Sequence, residues 1–145
     1  MRCDHRAVDR VSIGSDETKL DLQCVDRRLD GAAELLRARL VAPGLDVARD
    51  VYEFDGYAAL AAFFDEIASS WRGWVGEREF SSLEGELEIT AIHDGHVRMS
   101  VRLNQSSRPG EWTVDAKLTI DPGEDLKAAA DSVRALVDGG AGRRY

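Results

Sequence analysis

The sequence lacks the features that mark membrane-spanning, secreted and metal-binding proteins. No apolar run approaches the roughly 20 residues that a bilayer-spanning helix needs. The segment Met1–Asp16 is charged and contains no apolar stretch of the signal-peptide type. The two cysteines, Cys3 and Cys24, have neither zinc-binding nor redox-motif spacing. We therefore expect a cytoplasmic protein in which both are free thiols; a disulfide between them is the less favoured alternative.

Basic residues are also in short supply. The chain has 19 Lys and Arg against 27 Asp and Glu, which gives a formal net charge of −8. Affinity for nucleic acids and for anionic membranes comes largely from Lys and Arg, so this balance argues against both partners. A basic protein partner fits the sign of the charge, but an acidic surface also serves solubility alone.

The chain does contain enough apolar material for one folded domain. Its 145 residues and 43% hydrophobic content match an ordinary globular domain. No internal repeat and no long linker interrupts it. Residues 1–10 have the character of a flexible leader and the glycine-rich residues 139–145 that of a flexible tail. We therefore predict a single domain over residues 11–138.

Alternating apolar and polar residues predict strands in the first third of the chain. The alternation is regular across Lys19–Asp26, as in a half-buried strand. Residues 34–42 are ambiguous, because good helix formers there also follow a two-residue alternation. The turn at Pro43–Gly44 and the strand-like order of Leu45–Phe54 favour two antiparallel strands over a helix.

Two helices are predicted from apolar residues at helical spacing. Asp55 is placed to cap the first helix, and Gly73 is placed to end it. The last helix is expected to start at Asp121–Glu124, with Asp121 as its N-cap. The residues predicted to face the core are Leu60, Phe63, Phe64, Ile67 and Trp71 in the first helix and Leu126, Ala129, Ala130, Val133, Leu136 and Val137 in the last.

A hairpin between the helices is specified by its apolar pattern. If residues 93–95 form a three-residue loop, Ala91 pairs with Val97, and the apolar residues of both strands share one face. The same register places Glu86 opposite Arg102 on the outer face.

With a third strand at residues 112–120, the order of elements predicts an α+β fold. We expect an antiparallel sheet of about five to seven strands with two helices packed on one face.

Reactive residue types are present, but they form no recognisable catalytic or metal motif. His93 and His96 flank the hairpin turn with Asp94, yet two imidazoles on an exposed turn lack the further ligands of a zinc site. No Ser or Cys has the companion base that nucleophilic catalysis requires, and no glycine-rich stretch has the context of a phosphate loop. We therefore predict no catalytic residues, no metal and no cofactor.

Three glutamates alternate along one predicted strand face: Glu84, Glu86 and Glu88. Alternate strand positions lie about 7 Å apart, a separation that inverting glycosidases use for their two acids. A glycosidase also needs a cleft with sugar-stacking groups, so an acidic solvent-facing strand is the simpler interpretation.

The segment Trp71–Arg78 is unusually rich in special residues, with two tryptophans and two glycines among eight positions. One interpretation is structural: the rings fill the junction between helix and sheet, and the glycines permit a tight reversal. The other is functional: Trp74 and Arg78 are partly exposed contacts of a binding surface, since Trp and Arg are enriched in binding hot spots. The two interpretations are compatible.

This segment resembles a motif of a bacterial family of uncharacterised small proteins, Arg-Gly-Trp-x-Gly-Glu-Arg, which residues 72–78 match. Gly95 and His96 in the hairpin and Trp112 in the next strand match as well, and the resemblance covers about residues 45–137. In element order the chain is also similar to the WapI family of toxin-immunity proteins, a likeness of architecture alone. These resemblances imply a binding role, with neutralisation of a toxin in the second case, and imply no catalytic residues.

The sequence thus predicts a non-enzymatic protein-binding domain, and its most specific version is an immunity protein that neutralises a cognate basic toxin. The candidate contacts are Trp74, Arg78, Glu84, Glu86 and Glu88. Two alternatives stay open: a self-associating accessory domain, and an unrecognised small-ligand-binding or hydrolase domain with a closed pocket.

Overall fold

Two antiparallel four-stranded sheets and two α-helices form an α+β fold. The structure, a computed structural model, describes residues 9–53, 55–105 and 111–139. The first sheet contains β1 Arg10–Gly14, β2 Lys19–Arg27, β3 Ala33–Ala42 and β4 Leu45–Val51. After α1 Ala58–Ser69, the second sheet contains β5 Arg78–Ser81, β6 Leu87–His93, β7 Val97–Asn104 and β8 Thr113–Ile120. The helix α2 Glu124–Asp138 follows, and within each sheet the strands lie in chain order.

The first sheet buries one face and exposes the other. Leu36, Ala38 and Leu40 of β3 are buried, while the intervening Arg37 and Arg39 are exposed and pair with acidic residues of β4. Residues 34–42 are therefore strand, as predicted, because this two-residue alternation satisfies a half-buried strand. The predicted strand at Lys19–Asp26 is confirmed as β2.

The second sheet confirms the predicted common face but corrects the hairpin register. The apolar residues of β6 and β7 are buried together, yet His93 pairs with Val97, so the loop is residues 94–96. Arg102 consequently faces Glu88 and not Glu86. The prediction kept the correct faces because the two registers differ by an even number of residues. The same property hid the correct register, because the alternation fits both registers equally well.

One hydrophobic core joins both sheets and both helices. The α1 helix packs against α2 and β5, and α2 also contacts β1. The ring of Phe63 in α1 lies 5.4 Å from that of Phe64 and 6.2 Å from that of Phe80 in β5. Arg134 of α2 and Asp65 of α1 form an ion pair between the helices.

Three predicted helix features are wrong. The α1 helix ends at Ser69, so Gly73 does not end it, and Trp71 lies beyond the helix with its side chain half exposed. Asp121 does not cap α2, which begins at Glu124 after Gly123; the Asp121 carboxylate lies instead 3.6 Å from His96 Nε2. Acidic residues in the first turn of α2 favour its N-terminus in place of a side-chain cap.

The sheet also differs from the prediction in its strand count. The described residues form eight strands in two sheets where we expected one sheet of five to seven. The short edge strands β1 and β5 are too brief to show a clear alternation in the sequence. Arg10 opens β1, so the predicted leader over residues 1–10 is too long at its C-terminal end.

Parts of the sequence predictions fall outside the described residues. These are the leader at residues 1–8 with Cys3, and the tail at residues 140–145. Cys24 is buried, and its thiol lies 3.2 Å from the carbonyl oxygen of Asp26. No helix in the described part of the chain is long and apolar enough to cross a bilayer.

Tyr57 connects the start of α1 to the first sheet. Its hydroxyl donates to the carbonyl oxygen of Val51 at 2.5 Å and accepts the backbone N–H of Leu36 at 3.0 Å, with the side chain only 1% exposed. Tyr57 has a left-handed backbone (φ 69°), which the Asp55 carboxylate supports by accepting the N–H groups of Tyr57 and Ala59. Burial raises the pKa of the Tyr57 phenol to about 12, against the opposing effect of the Leu36 N–H.

Replacement of this hydroxyl tests its contribution to stability. We expect Tyr57→Phe to reduce the free energy of unfolding by about 1–3 kcal/mol at pH 7, because a buried N–H loses its partner. Wild-type stability should fall as pH rises from 10 towards 12, where the unfolded chain loses a proton that the native state keeps; the variant should lack this part of the decline. Urea unfolding at several pH values measures both effects. Equal stability at pH 7 would contradict the assignment.

Candidate functional site

The segment that leads from α1 into β5, residues 71–78, carries several exposed side chains; we call it the aromatic corner. Val75 is 100% exposed and Trp71 is 49% exposed, so two large apolar side chains of this short segment face solvent together. The backbone has positive φ at Gly73 (133°) and Gly76 (80°), conformations that other L-residues adopt only with strain. The glycines therefore permit the reversals that present these side chains.

His93 of the β6–β7 hairpin holds the aromatic corner in place. Its Nδ1 accepts the backbone N–H of Gly95 at 3.3 Å, so the ring proton lies on Nε2. Nε2 then donates to the carbonyl oxygen of Trp71 at 2.8 Å. A single imidazole thus connects the loop after α1 to the hairpin turn.

Trp74 is the half-buried base of the aromatic corner. Its indole Nε1 donates to the carbonyl oxygen of Ala91 in β6 at 3.3 Å, and its ring meets His93 edge to face at 5.3 Å. The ring also packs against the hydrophobic core. The indole is therefore held against the second sheet.

Two arginines lie over the two tryptophan rings. The Arg78 guanidinium lies 5.9 Å from the Trp74 ring centroid and pairs with Glu66 of α1 at 2.9 Å. The Arg72 guanidinium lies 5.1 Å from the Trp71 ring centroid, on the exposed side of the loop. Cation–π contact at exposed positions is worth roughly 0.5–1 kcal/mol, which favours ordered side chains here.

Trp71 also lines an open groove between the end of α1 and the start of α2. The groove has a volume of about 510 Å³. Its lining residues are Ala68, Ser69, Trp71, Gly123, Glu124 and Lys127. Exposed aromatic surface beside a groove is the usual form of a protein contact site.

The predicted contact residues divide into two groups. Trp74 and Arg78 lie together in the aromatic corner and are both partly exposed, as expected. The three glutamates do not form one acidic face: Glu84 is exposed in a turn, Glu86 is buried, and Glu88 in β6 receives a hydrogen bond from Asn104. This predicted face is therefore wrong, because β6 begins only at Leu87.

Glu86 is buried because it forms half of a reciprocal contact between the two sheets. Its carboxylate accepts the Ser82 hydroxyl at 2.7 Å and the backbone N–H of Tyr52 at 3.3 Å. In return, Glu53 beside Tyr52 accepts the backbone N–H of Leu83. Each segment thus supplies a carboxylate to the backbone of the other. We call this arrangement the carboxylate clasp.

The histidine pair is not brought together with a third ligand. His93 is engaged as described above, and His96 faces Asp121. Within residues 9–53, 55–105 and 111–139, no group of three or more His, Cys, Asp or Glu side chains has an arrangement that could hold a metal ion.

A family match extends over nearly the whole domain: the family of unknown function DUF6228 matches residues 11–140. The chain belongs to this family. No curated protein and no solved structure matches the chain. The Arg-Gly-Trp-x-Gly-Glu-Arg motif and the likeness to WapI immunity proteins therefore stay predictions.

Sequence reasoning missed three residues of this DUF6228 site. Trp71 fits the helical spacing of α1, so it was assigned to the core; only the helix end at Ser69 leaves it exposed. Val75 lies between special residues and carries no signal of its own. The role of His93 depends on the contact of the hairpin with a loop some twenty residues earlier, which local patterns do not encode.

The carboxylate clasp of the DUF6228 domain predicts a pH-dependent stability term. Burial raises the pKa of the Glu53 carboxyl, the Leu83 N–H opposes this, and Asp55 and Glu86 reinforce it. The native state therefore binds a proton at Glu53 more readily than the unfolded chain does. Protonation of Glu53 stabilises the fold fully below the usual Glu pKa, and this stabilisation is lost as pH rises through the raised pKa of the native state. Glu53→Gln keeps an acceptor for Leu83 without the charge.

We expect Glu53→Gln to be more stable than the wild type by roughly 0.5 kcal/mol at pH 7, a value reduced for partial exposure. The difference should vanish below about pH 4, near the usual Glu pKa. Chemical unfolding across this range measures it, with Glu17→Gln in the exposed β1–β2 turn as the matched control. A variant less stable than the wild type at pH 7 would show that the charge is favourable there.

Proposed function

We propose that this DUF6228 domain is a non-catalytic protein-binding module and that the aromatic corner is its contact surface. The observation that carries the proposal is the exposure of Trp71 and Val75 on a loop fixed from beneath by His93 and Trp74. Side chains that are already ordered lose less conformational entropy on binding. Exposed Trp and Arg on an ordered loop are the usual composition of a binding hot spot.

The polar residues of the domain support a non-catalytic role. Glu86 is occupied by the carboxylate clasp and Glu88 by Asn104, while Glu84 lies apart in the turn. Carboxylates engaged in this way have structural tasks that account for their positions. The Val75 side chain has no such internal task, because it is 100% exposed.

In its most specific form, the proposal is that the domain acts in the cytoplasm as an immunity protein against a basic toxin. The net charge of −8 supports a basic partner, because opposite net charges accelerate encounter. The similarity of element order to WapI immunity proteins adds a weaker argument. Within this proposal, the aromatic corner supplies affinity and the acidic surface supplies steering.

Paired substitutions test the contact surface. The wild-type protein is used to capture partners from its source cells, and an identified partner is then purified for calorimetry. We expect Trp71→Ala and Val75→Asp each to weaken binding about tenfold or more, because each removes or disrupts buried apolar contact at the centre of the interface. Leu29→Ala is the matched control, since Leu29 is 97% exposed on the β2–β3 turn. Unchanged affinity in both corner variants would contradict the proposal.

A separate assay tests the immunity role. The domain is co-expressed with each toxin-like protein encoded beside it, and cell survival is counted. Protection by the wild type and by Leu29→Ala, with loss of protection in Trp71→Ala, is the expected result. If neither the wild type nor Leu29→Ala protects cells, while the purified partner still binds the wild-type domain, the immunity role fails and the binding role stands.

A further inference from the structure

The edge of the second sheet offers a backbone surface beside the aromatic corner. Strand β5 pairs with β6 on one side only, so it is an edge strand. Among the described residues, no hydrogen bond outside its ladder with β6 reaches the backbone of residues 78–81. Edge strands with unpaired N–H and C=O groups can accept a further strand from a partner. We call residues 77–81 the β5 edge.

The β5 edge carries uncompensated negative charge. Glu77 and Glu79 are exposed and have no ion-pair partner in the described part of the chain, and the adjoining turn adds the exposed Glu84. The one cation of the segment, Arg78, is already paired with Glu66 on the inner side. A strand added here therefore meets carboxylates that lack a counter-charge.

The edge strand β4 of the first sheet differs in this respect. In β4 of the first sheet, Asp46 pairs with Arg39 and Asp50 pairs with Arg37, so the acidic side chains are neutralised within the sheet. Arg49 of β4 also donates to the carbonyl oxygens of Asn104 and Gln105, which ties that strand to β7. The uncompensated charge thus distinguishes the β5 edge from the edge strand β4.

This charge selects the occupant. In antiparallel pairing, a second copy of the chain would bring its Glu77 and Glu79 close to the same two residues of the first copy, and like charges across a strand pair are destabilising. An extended segment with Lys or Arg at alternate positions would pair with the carboxylates while its backbone bonds to β5. The aromatic corner directly precedes the edge, so one partner could contact both.

We propose that the β5 edge binds an extended, basic segment of a protein partner by strand addition, next to the aromatic corner. The inference deepens the proposed protein-binding function and rests on it. The aromatic corner supplies apolar contact, and the β5 edge supplies backbone hydrogen bonds and the preference for positive charge.

A peptide probe tests the edge without knowledge of the natural partner. The capped hexapeptide Val-Lys-Val-Lys-Val-Lys is titrated into the full-length, isotope-labelled protein, with Val-Glu-Val-Glu-Val-Glu as the charge-reversed control. Backbone amide shifts and hydrogen exchange are recorded by NMR. We expect shifts and new amide protection at residues 77–81 with the basic peptide only. Glu77→Lys combined with Glu79→Lys should weaken its binding about tenfold or more, whereas Glu17→Lys should change it less than twofold.

Each other outcome overturns the inference. Shifts spread over the acidic surface and equally sensitive to Glu17→Lys would indicate unspecific attraction. Shifts confined to Trp71–Val75, or no shift at all, would exclude the β5 edge as the site. The proposal for the aromatic corner would then still be tested separately, by calorimetry with the purified partner. Protection of residues 77–81 without peptide, together with a dimer in light scattering, would show that a second copy occupies the edge.

Discussion

The structure depends on the burial of one face of each sheet in a single core shared with α1 and α2. The strands that cover the core therefore tend to alternate, as β3 does with buried Leu36, Ala38 and Leu40 and exposed Arg37 and Arg39. The outer faces are occupied by cross-strand ion pairs such as Arg102 with Asp115. This arrangement leaves loops and sheet edges for contact with other molecules. The aromatic corner is such a loop, and the β5 edge is such an edge.

Specific polar contacts hold the parts of this core together. The carboxylate clasp joins the segment after β4 to the turn before β6, and the Tyr57 hydroxyl joins the start of α1 to β3 and β4. Arg27, also buried, donates to the carbonyl oxygens of Gly31 and Leu136 and so connects the β2–β3 turn to the end of α2. These contacts satisfy backbone groups that the ladders and helices leave unpaired.

The sequence predicted the parts of the fold that periodicity encodes. The alternation in β2, β3, β6 and β7 and the helical spacing of α1 and α2 identified the main elements and their buried faces. It could not fix the hairpin register, because a shift by two residues preserves every face. It also misplaced Glu86, since a carboxylate that binds backbone N–H groups of a distant segment looks identical, in sequence, to one that faces water.

The candidate site was predicted only in part, because local sequence patterns do not encode contacts between distant segments. Trp74 and Arg78 were recognised from composition. In the structure the Arg78 guanidinium lies over the Trp74 ring. The exposure of Trp71 depends on where α1 ends, and the order of the loop depends on His93 from another element. Contacts between elements decide both, and no local pattern reports them.

The central claim is that the aromatic corner is ordered before any partner arrives, because His93 and Ala91 hold Trp71 and Trp74 from beneath. Nitrogen-15 relaxation of the free protein tests it most directly, at the backbone amides of residues 71–78 and at the indole N–H groups. We expect order parameters near those of rigid backbone, about 0.85, with a fall confined to this loop in His93→Ala. Values below about 0.6 for Trp71–Val75 in the wild-type protein would contradict it.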